Sequence, residues 1–128
     1  MARVLIIEDC YEIRMMMRSF LIRKGHKIVD AKDGVMAFEY INTERPDVIV
    51  TDMKMPGKDG LDTIRELRGH GMDIPIIVAT GYDEPFSERE AQELGISRIL
   101  TKPVSDTELI EAVEDALEKS KTSIDVSS

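Results

Sequence analysis

The sequence predicts an α/β fold: a doubly wound, five-stranded parallel sheet with five helices distributed over its two faces. Short continuous apolar runs, such as the one at 3–8, are typical of strands that are covered on both faces. These runs alternate along the chain with segments of helical apolar spacing. Such an alternation implies parallel strand–helix–strand units with right-handed crossovers. A chain of 128 residues suits one domain of this kind.

The first half of the chain is predicted to contain three strands and two helices. The strands are expected at 3–8, 26–31 and 46–52. The first helix, 11–25, ends at Gly25, since glycine commonly terminates helices. Its inward side chains are expected to be Ile13, Met16, Met17, Phe20 and Leu21. The second helix, 33–44, carries its apolar side chains at Val35, Met36, Phe38 and Ile41.

The second half is predicted to contain two strands and three helices. The strands are expected at 74–81 and 97–103, and the helices at 60–71, 85–95 and 105–120. Ser105 and Glu108 form a capping box at the start of the last helix. We therefore expect one domain over residues 1–119, followed by a polar, frayed tail over 120–128.

Composition and charge exclude several classes of protein. Hydrophobic residues make up 42% of the chain and charged residues 33%, as in a globular domain with a packed core. The net charge of -8 argues against a nucleic-acid surface, which needs clustered Lys and Arg. No apolar stretch approaches membrane-spanning length, and the N-terminus lacks a signal peptide pattern. The lone Cys10 permits no intrachain disulfide, so we expect a cytoplasmic protein.

Polar side chains gather where four of the predicted strands end. Glu8 and Asp9 follow the first strand, Asp52 ends the third, Thr80 lies at the end of the fourth and Lys102 at the end of the fifth. In a doubly wound sheet these positions share one rim, where ligands of such folds bind. Three carboxylates suit Mg²⁺, and an aspartate beside Mg²⁺ can attack a phosphoryl group. Lysine and threonine supply a cation and a hydroxyl for phosphoryl oxygens.

Each of these residues has a commoner explanation when it is taken alone. An aspartate before a turn is usually a turn residue, and Glu8 or Asp9 could cap the following helix. Thr80 beside Gly81 could belong to a turn, and an isolated Lys102 is more often ordinary surface charge. The functional interpretation is favoured because all five residues fall on one rim.

Four motifs make the chain resemble the receiver domains of two-component response regulators, in particular stand-alone, chemotaxis-regulator-like receivers. The resemblance extends from about Arg3 to Lys119. The motifs, in order, are LIIED (5–9), PDVIVTDMKMPGKDG (46–60), IIVATG (76–81) and TKP (101–103). The resemblance implies a flavodoxin-like strand order 2-1-3-4-5.

The resemblance also implies the roles of the site residues. Asp52 would be the phosphoacceptor, and Thr80 and Lys102 would bind the phosphoryl group. Mg²⁺ would be held by Glu8, Asp9, Asp52 and the main-chain carbonyl of Lys54. The protein would be no classical enzyme but a signalling module that catalyses only its own phosphorylation and dephosphorylation.

Partners are likewise implied by the resemblance. The phosphoryl donor would be a histidine kinase or a histidine phosphotransfer protein that docks near the first helix, where Met15 and Ile22 are expected at the surface. Too few residues follow Lys119 for a DNA-binding or enzymatic output domain. The expected output is therefore altered protein binding or onward phosphotransfer, without a nucleic-acid or membrane partner.

The chain departs from the family pattern at two positions. Ile99 lies where the family usually has an aromatic switch residue, and Val104 follows the proline where an aromatic residue is frequent. We therefore expect phosphorylation to shift the loop at 81–85 more than the fifth strand. The roles of Lys54 and Tyr82 stay open. Lys54 could alter dephosphorylation, and a solvated lysine explains it equally well; Tyr82 could substitute for the switch residue, but an exposed loop aromatic is the favoured explanation.

Three other functions are weighed against the receiver. A phosphorylation-independent interaction module is kept open by Ile99. An aspartate-nucleophile phosphohydrolase of the haloacid dehalogenase type usually has a second aspartate where this chain has Lys54, and no room remains for a substrate cap. A flavodoxin-like cofactor binder needs a small-residue loop after the first strand, but 8–12 contains three acids that would repel phosphate.

Overall fold

The computed structural model describes residues 2–53, 60–81 and 87–127, with side chains described as far as Lys119. Five strands form one parallel sheet in the order β2-β1-β3-β4-β5, which confirms the predicted fold class and strand order. The strands are β1 (Arg3–Ile7), β2 (Lys27–Ala31), β3 (Val48–Asp52), β4 (Ile76–Thr80) and β5 (Ile96–Thr101).

A helix follows each strand in the chain. The helices are α1 (Tyr11–Ile22), α2 (Gly34–Glu44), α3 (Gly60–Gly69), α4 (Glu88–Glu93) and α5 (Asp106–Ser127). Asp33 caps α2 and Ser87 caps α4, each accepting a hydrogen bond from a main-chain N–H in the first turn. The predicted start of the fourth helix at residue 85 lies outside the described residues.

The sheet is buried on both faces, which explains why its strands are continuous apolar runs. One face packs against α1 and α5 through residues that include Val4, Ile6, Val50, Ile77, Leu109 and Val113. The other face packs against α2 and α3 through residues that include Leu5, Ile7, Ile49, Val78, Ile41 and Ile64. The central strands are thereby rigid platforms for the side chains at their ends.

The predicted inward face of α1 is wrong at one methionine. Met17 and Leu21 are buried, and Ile13 and Phe20 pack against the core, as expected. Met16, however, is 37% exposed at the edge of this stripe.

The surface positions expected on α1 are right for one residue. Met15, expected at the surface, is half-buried, whereas Ile22 is exposed as predicted. The exposed large hydrophobic side chains of α1 are therefore Tyr11, Met16 and Ile22.

One apolar residue of α2 is exposed, and the expected end of the last helix needs correction. Val35 is 64% exposed, because the inward stripe of α2 is centred on Ala37 and Ile41. The last helix does not end at Ser120 but continues to Ser127, through most of the expected frayed tail. Its C-terminal segment contains neither Gly nor Pro, so nothing in the sequence stops the helix.

No helix in the described part of the chain combines the length and the apolar character that crossing a bilayer requires.

Candidate metal centre

Strand register brings the predicted site residues to one rim of the sheet. Ile7 of β1 pairs with Thr51 of β3. The residues that follow them, Glu8 and Asp52, therefore lie side by side. Thr80 ends β4 opposite Thr101 of β5, and Lys102 follows. These are the carboxyl ends of the strands on either side of the topological switch point between β1 and β3, where doubly wound sheets bind ligands.

Three carboxylates converge at this rim. Glu8, Asp9 and Asp52 each offer an oxygen, and these oxygens lie within 4.8 Å of one another. Glu8 is 1% exposed and Asp52 5%, whereas Asp9 is exposed to solvent. No second cluster of three potential metal ligands exists among the residues that the structure describes. The predicted acid cluster therefore forms, with one carboxylate open to water.

Lys102 places its ammonium between the two buried carboxylates. Its Nζ donates a hydrogen bond to Asp52 Oδ1 at 2.9 Å and lies 3.2 Å from Glu8 Oε2. Asp52 Oδ1 also accepts from the main-chain N–H of Met53 at 2.8 Å. The main-chain N–H of Lys102 donates to the carbonyl of Thr80 at 2.7 Å, and the Lys102–Pro103 peptide bond is cis. The lysine is thus fixed at both its main chain and its head group.

The charges at the rim shift two pKa values. Burial, reinforced by the charge of Asp52, raises the pKa of Glu8, and the attraction of Lys102 only partly offsets these effects. Burial also acts to lower the pKa of Lys102, but the hydrogen bond to Asp52 and the charges of Glu8 and Asp52 outweigh it, so this pKa is raised. Lys102 therefore stays cationic, but its single positive charge does not balance the negative charges of the carboxylates.

The donor set fits Mg²⁺. All three side chains offer hard oxygen ligands, with no nitrogen or sulfur ligand in the cluster. Glu8 Oε2 is buried and makes no hydrogen bond within the described part of the chain beyond its ion pair with Lys102. Three carboxylates face a single ammonium, so a divalent cation would complete the charge balance. The main-chain carbonyl of Lys54, expected as a further ligand, lies outside the described residues.

Thr80 lies at the end of β4 and Ile99 lies on β5, as the sequence predicts. Thr80 is 5% exposed at the end of β4. Ile99 is half-buried on β5, where it pairs with Val78, and its neighbour Leu100 packs into the core on the opposite face of the sheet. Tyr82 lies outside the described residues.

Gly60, the last residue of the motif at 46–60 and the first residue of α3, lies against the main chain of Asp52. Its main-chain N–H donates to the carbonyl of Met53 at 2.9 Å. A Cβ at this position would lie 1.9 Å from the main-chain oxygen of Asp52 and 3.2 Å from Met53 Cα. The first turn of α3 therefore approaches the Asp52 main chain so closely that only glycine fits. The glycine that ends the motif at 46–60 is the sequence signal for such an approach.

Comparison with known proteins now identifies the family. A family model described as the response regulator receiver domain matches residues 4–114. The chain belongs to this family. Receiver domains are phosphoacceptor signalling modules of two-component systems rather than classical enzymes, and they bind Mg²⁺ through an acidic pocket.

Relatives of known name support the assignment. Sporulation initiation phosphotransferase F of Bacillus subtilis is 31% identical over 115 residues, which cover 90% of this chain and 93% of that protein. Response regulator MprA of Mycobacterium tuberculosis is 35% identical over 119 residues, 93% of this chain but 52% of that protein. The chain therefore spans about half the length of the second relative.

Solved structures agree with the fold. A receiver domain protein from Clostridium thermocellum superposes with a TM-score of 0.88 at 27% identity, covering 95% of this chain and 98% of that one. The receiver domain of a Francisella response regulator superposes with a TM-score of 0.86 at 31% identity, covering 94% and 99%.

Substituting Gly60 by alanine should destabilise the protein and disturb the Asp52 main chain. The added methyl group collides with main-chain atoms, so we expect a loss of about 1–3 kcal/mol in the free energy of unfolding. Gly69→Ala is the control, since a Cβ there meets nothing within 4 Å. We expect it to be neutral or stabilising by up to about 1 kcal/mol. Urea denaturation measures both, and equal stabilities would contradict the close approach at Gly60.

Glu8→Gln should stabilise the metal-free protein at pH 7. The folded-state pKa of Glu8 lies above its ordinary value of 4.5, so its ionisation costs stability as pH rises through the interval between these two values. The glutamine variant lacks this loss, and its advantage should vanish below about pH 4.5, where Glu8 is protonated. Unfolding in the presence of a chelator across this pH range measures the difference. Glu111→Gln, at an exposed position on α5, should follow the wild-type profile; a Glu8→Gln profile parallel to wild type would contradict the assignment.

Proposed function

We propose that Asp52 is the phosphoacceptor of this receiver domain and takes its phosphoryl group from a phosphohistidine donor in the presence of Mg²⁺. The observation that carries the proposal is the hydrogen bond from Lys102 to Asp52 inside the acid cluster at the carboxyl end of β3. A cation that already lies on the Asp52 carboxylate is placed to follow negative charge onto a phosphoryl group.

The proposed reaction is a transfer between two nucleophiles. A carboxylate oxygen of Asp52 forms a bond to phosphorus, the bond between phosphorus and the donor imidazole nitrogen breaks, and the histidine leaves with the electron pair. The product is an acyl phosphate. Met53 N–H and Lys102 both hold Asp52 Oδ1, so the orientation of the carboxylate is set before the donor arrives. When bound, Mg²⁺ supplies charge that neutralises the phosphoryl oxygens.

The acids at the rim are given different parts in this proposal. Asp9 is exposed and offers its carboxylate directly to a hydrated metal ion, which keeps several waters. Glu8 is buried and ion-paired with Lys102, so it contributes mainly negative charge. Thr80, buried at the end of β4, is proposed to donate its hydroxyl to the phosphoryl group.

The alternatives are less well supported. A protein that bound its partners without being phosphorylated would not require an ammonium and three carboxylates on one rim. An aspartate-nucleophile phosphohydrolase would need an acid two residues after Asp52, where the chain has Lys54. We propose that the only reactions catalysed are the phosphorylation of Asp52 and its dephosphorylation. The expected cytoplasmic location and the absence of nucleic-acid and membrane partners stay predictions.

The proposed output is a change in protein binding or a further transfer of the phosphoryl group. Onward transfer is supported by the similarity to a protein named as a phosphotransferase.

Asp52→Asn should abolish phosphorylation. Incubation with acetyl phosphate and Mg²⁺ should add one phosphoryl group to the wild-type chain, and chelation of the metal should suppress the addition; intact mass spectrometry measures the product. Asp33→Asn is the control, since it removes another carboxylate but leaves an equally good helix cap. Unchanged labelling of Asp52→Asn would place the acceptor elsewhere.

A partner is proposed to dock against an apolar cavity beside the site. This cavity has a volume of about 250 Å³ and is lined by Ile13, Met16, Met17, Lys102, Pro103 and Val104. It connects the exposed surface of α1 with the lysine that holds Asp52. A histidine kinase or histidine phosphotransfer protein that fills it with an apolar side chain could bring its phosphohistidine to Asp52. The exposed methionine in this proposal is Met16, whereas the sequence predicted Met15 at this surface.

Met16→Glu should slow phosphotransfer from a protein donor without affecting labelling by acetyl phosphate. A charge at the cavity penalises docking, and we expect at least a tenfold loss of transfer rate, about 1.4 kcal/mol. The donor is a phosphorylated histidine phosphotransfer domain that labels the wild-type chain. Val35→Glu, on the exposed side of α2, is the matched control and should transfer normally. Equal slowing of both variants, or of neither, would contradict docking at this cavity.

A further inference from the structure

Arg14 connects the metal-side acids to the far edge of the sheet, and the chemistry described above makes no use of it. It lies on α1, with a side chain that is 14% exposed. Its Nη1 donates a hydrogen bond to the main-chain carbonyl of Glu8 at 2.8 Å. Its Nε donates to Asp30 Oδ2 on β2 at 3.0 Å. One guanidinium thus joins three elements, namely α1, β2 and the turn that leaves β1.

The bond to Glu8 holds the chain at the point where it leaves the sheet. The main-chain N–H of Glu8 still pairs with the carbonyl of Ala31 at 3.0 Å, as a continuation of the β1–β2 pairing. On the other side, the pairing with β3 ends one residue earlier, at Ile7 and Thr51. Glu8 itself lies beyond the last residue of β1, and Arg14 donates to its main-chain carbonyl. Both main-chain polar groups of Glu8 are therefore fixed.

Arg14 takes its own position from the sheet rather than from a loop. Asp30 is a strand residue that pairs with Ile6 of β1. Its second carboxylate oxygen accepts a hydrogen bond from Arg18 Nη1, one turn further along α1, at 2.6 Å. Asp30 is thus held by the strand and by two guanidinium groups, and Arg14 is held by Asp30.

We propose that Arg14 is a positioning residue for the Mg²⁺ site. By fixing the main chain at Glu8, it keeps the Glu8 and Asp9 carboxylates at the spacing from Asp52 that a metal ion needs. The side chain of Asp9 makes no hydrogen bond with the described part of the chain, so its place depends on the main chain before it. Residues that do not bind the metal themselves but fix the position of its ligands commonly control metal affinity. The inference rests on the proposed Mg²⁺ site.

A purely structural role for the same ion pairs makes a different prediction, and the chain offers a matched control. Arg14 and Arg18 both pair with Asp30, but Arg18 makes no hydrogen bond to Glu8 within the described residues. Arg14→Met and Arg18→Met each remove one ion pair to Asp30. Only the first also frees the Glu8 carbonyl.

Mg²⁺ binding measured by isothermal titration calorimetry separates the two roles. We expect Arg14→Met to raise the Mg²⁺ dissociation constant about tenfold and Arg18→Met to leave it unchanged, while both lower the melting temperature in chelator. In labelling by acetyl phosphate, Arg14→Met should raise the Mg²⁺ concentration for half-maximal rate and leave the rate at saturating Mg²⁺ near that of wild type.

The outcomes of these measurements are distinguishable. Equal losses of Mg²⁺ affinity in the two variants, or none in Arg14→Met, would overturn the positioning role. If Arg14→Met does not fold, Asp30→Asn replaces it, because it loosens Arg14 while keeping the size of the strand residue; it should also weaken Mg²⁺ binding, and an unchanged affinity would overturn the proposal. A wild-type chain that binds no Mg²⁺ would instead contradict the proposed metal site.

Discussion

The ammonium of Lys102 allows two carboxylates to be buried at one end of the sheet. An unpaired buried charge costs several kcal/mol, and Glu8 and Asp52 are both nearly inaccessible to solvent. Lys102 lies within 3.2 Å of both. Because β4 separates β3 from β5, the lysine reaches across the end of β4, where its main chain is tied to Thr80. The charge pairing therefore requires the carboxyl ends of β1, β3, β4 and β5 to meet at one rim.

The pairing leaves the rim short of positive charge. Three carboxylates face one ammonium, and the pKa of Glu8 remains raised even with Lys102 beside it. A site that is fully compensated has no need of a metal ion, whereas this one gains from a divalent cation and can then accept a dianionic phosphoryl group. The same incomplete compensation that costs stability in the metal-free protein thus favours the proposed chemistry, as expected where stability is sacrificed for function.

The fold and the rim residues could be predicted because both depend on sequence order. Apolar runs mark strands buried on two faces, and the residue after each run falls at the rim. What failed depends on finer geometry. Three consecutive methionines at 15–17 carry no period, so periodicity cannot tell that Met16 is more exposed than Met15. The close approach at Gly60 and the bond from Arg14 to Glu8 arise from distances between segments that no local pattern records.

In this receiver, Ile99 lies at the position where an aromatic switch residue is usual. Ile99 is β-branched, has few rotamers and has no polar tip, so it cannot swing between core and solvent as an aromatic switch residue does. The C-terminal end of α4 is also tied down, because Arg68 on α3 donates hydrogen bonds to the carbonyls of Leu94 and Gly95. Phosphorylation can shift an equilibrium only through contacts that differ between states. With the C-terminal end of α4 held by Arg68, a displacement of Thr80 has little effect to transmit through that end of the helix, and the expected shift of the loop at 81–85 stays a prediction.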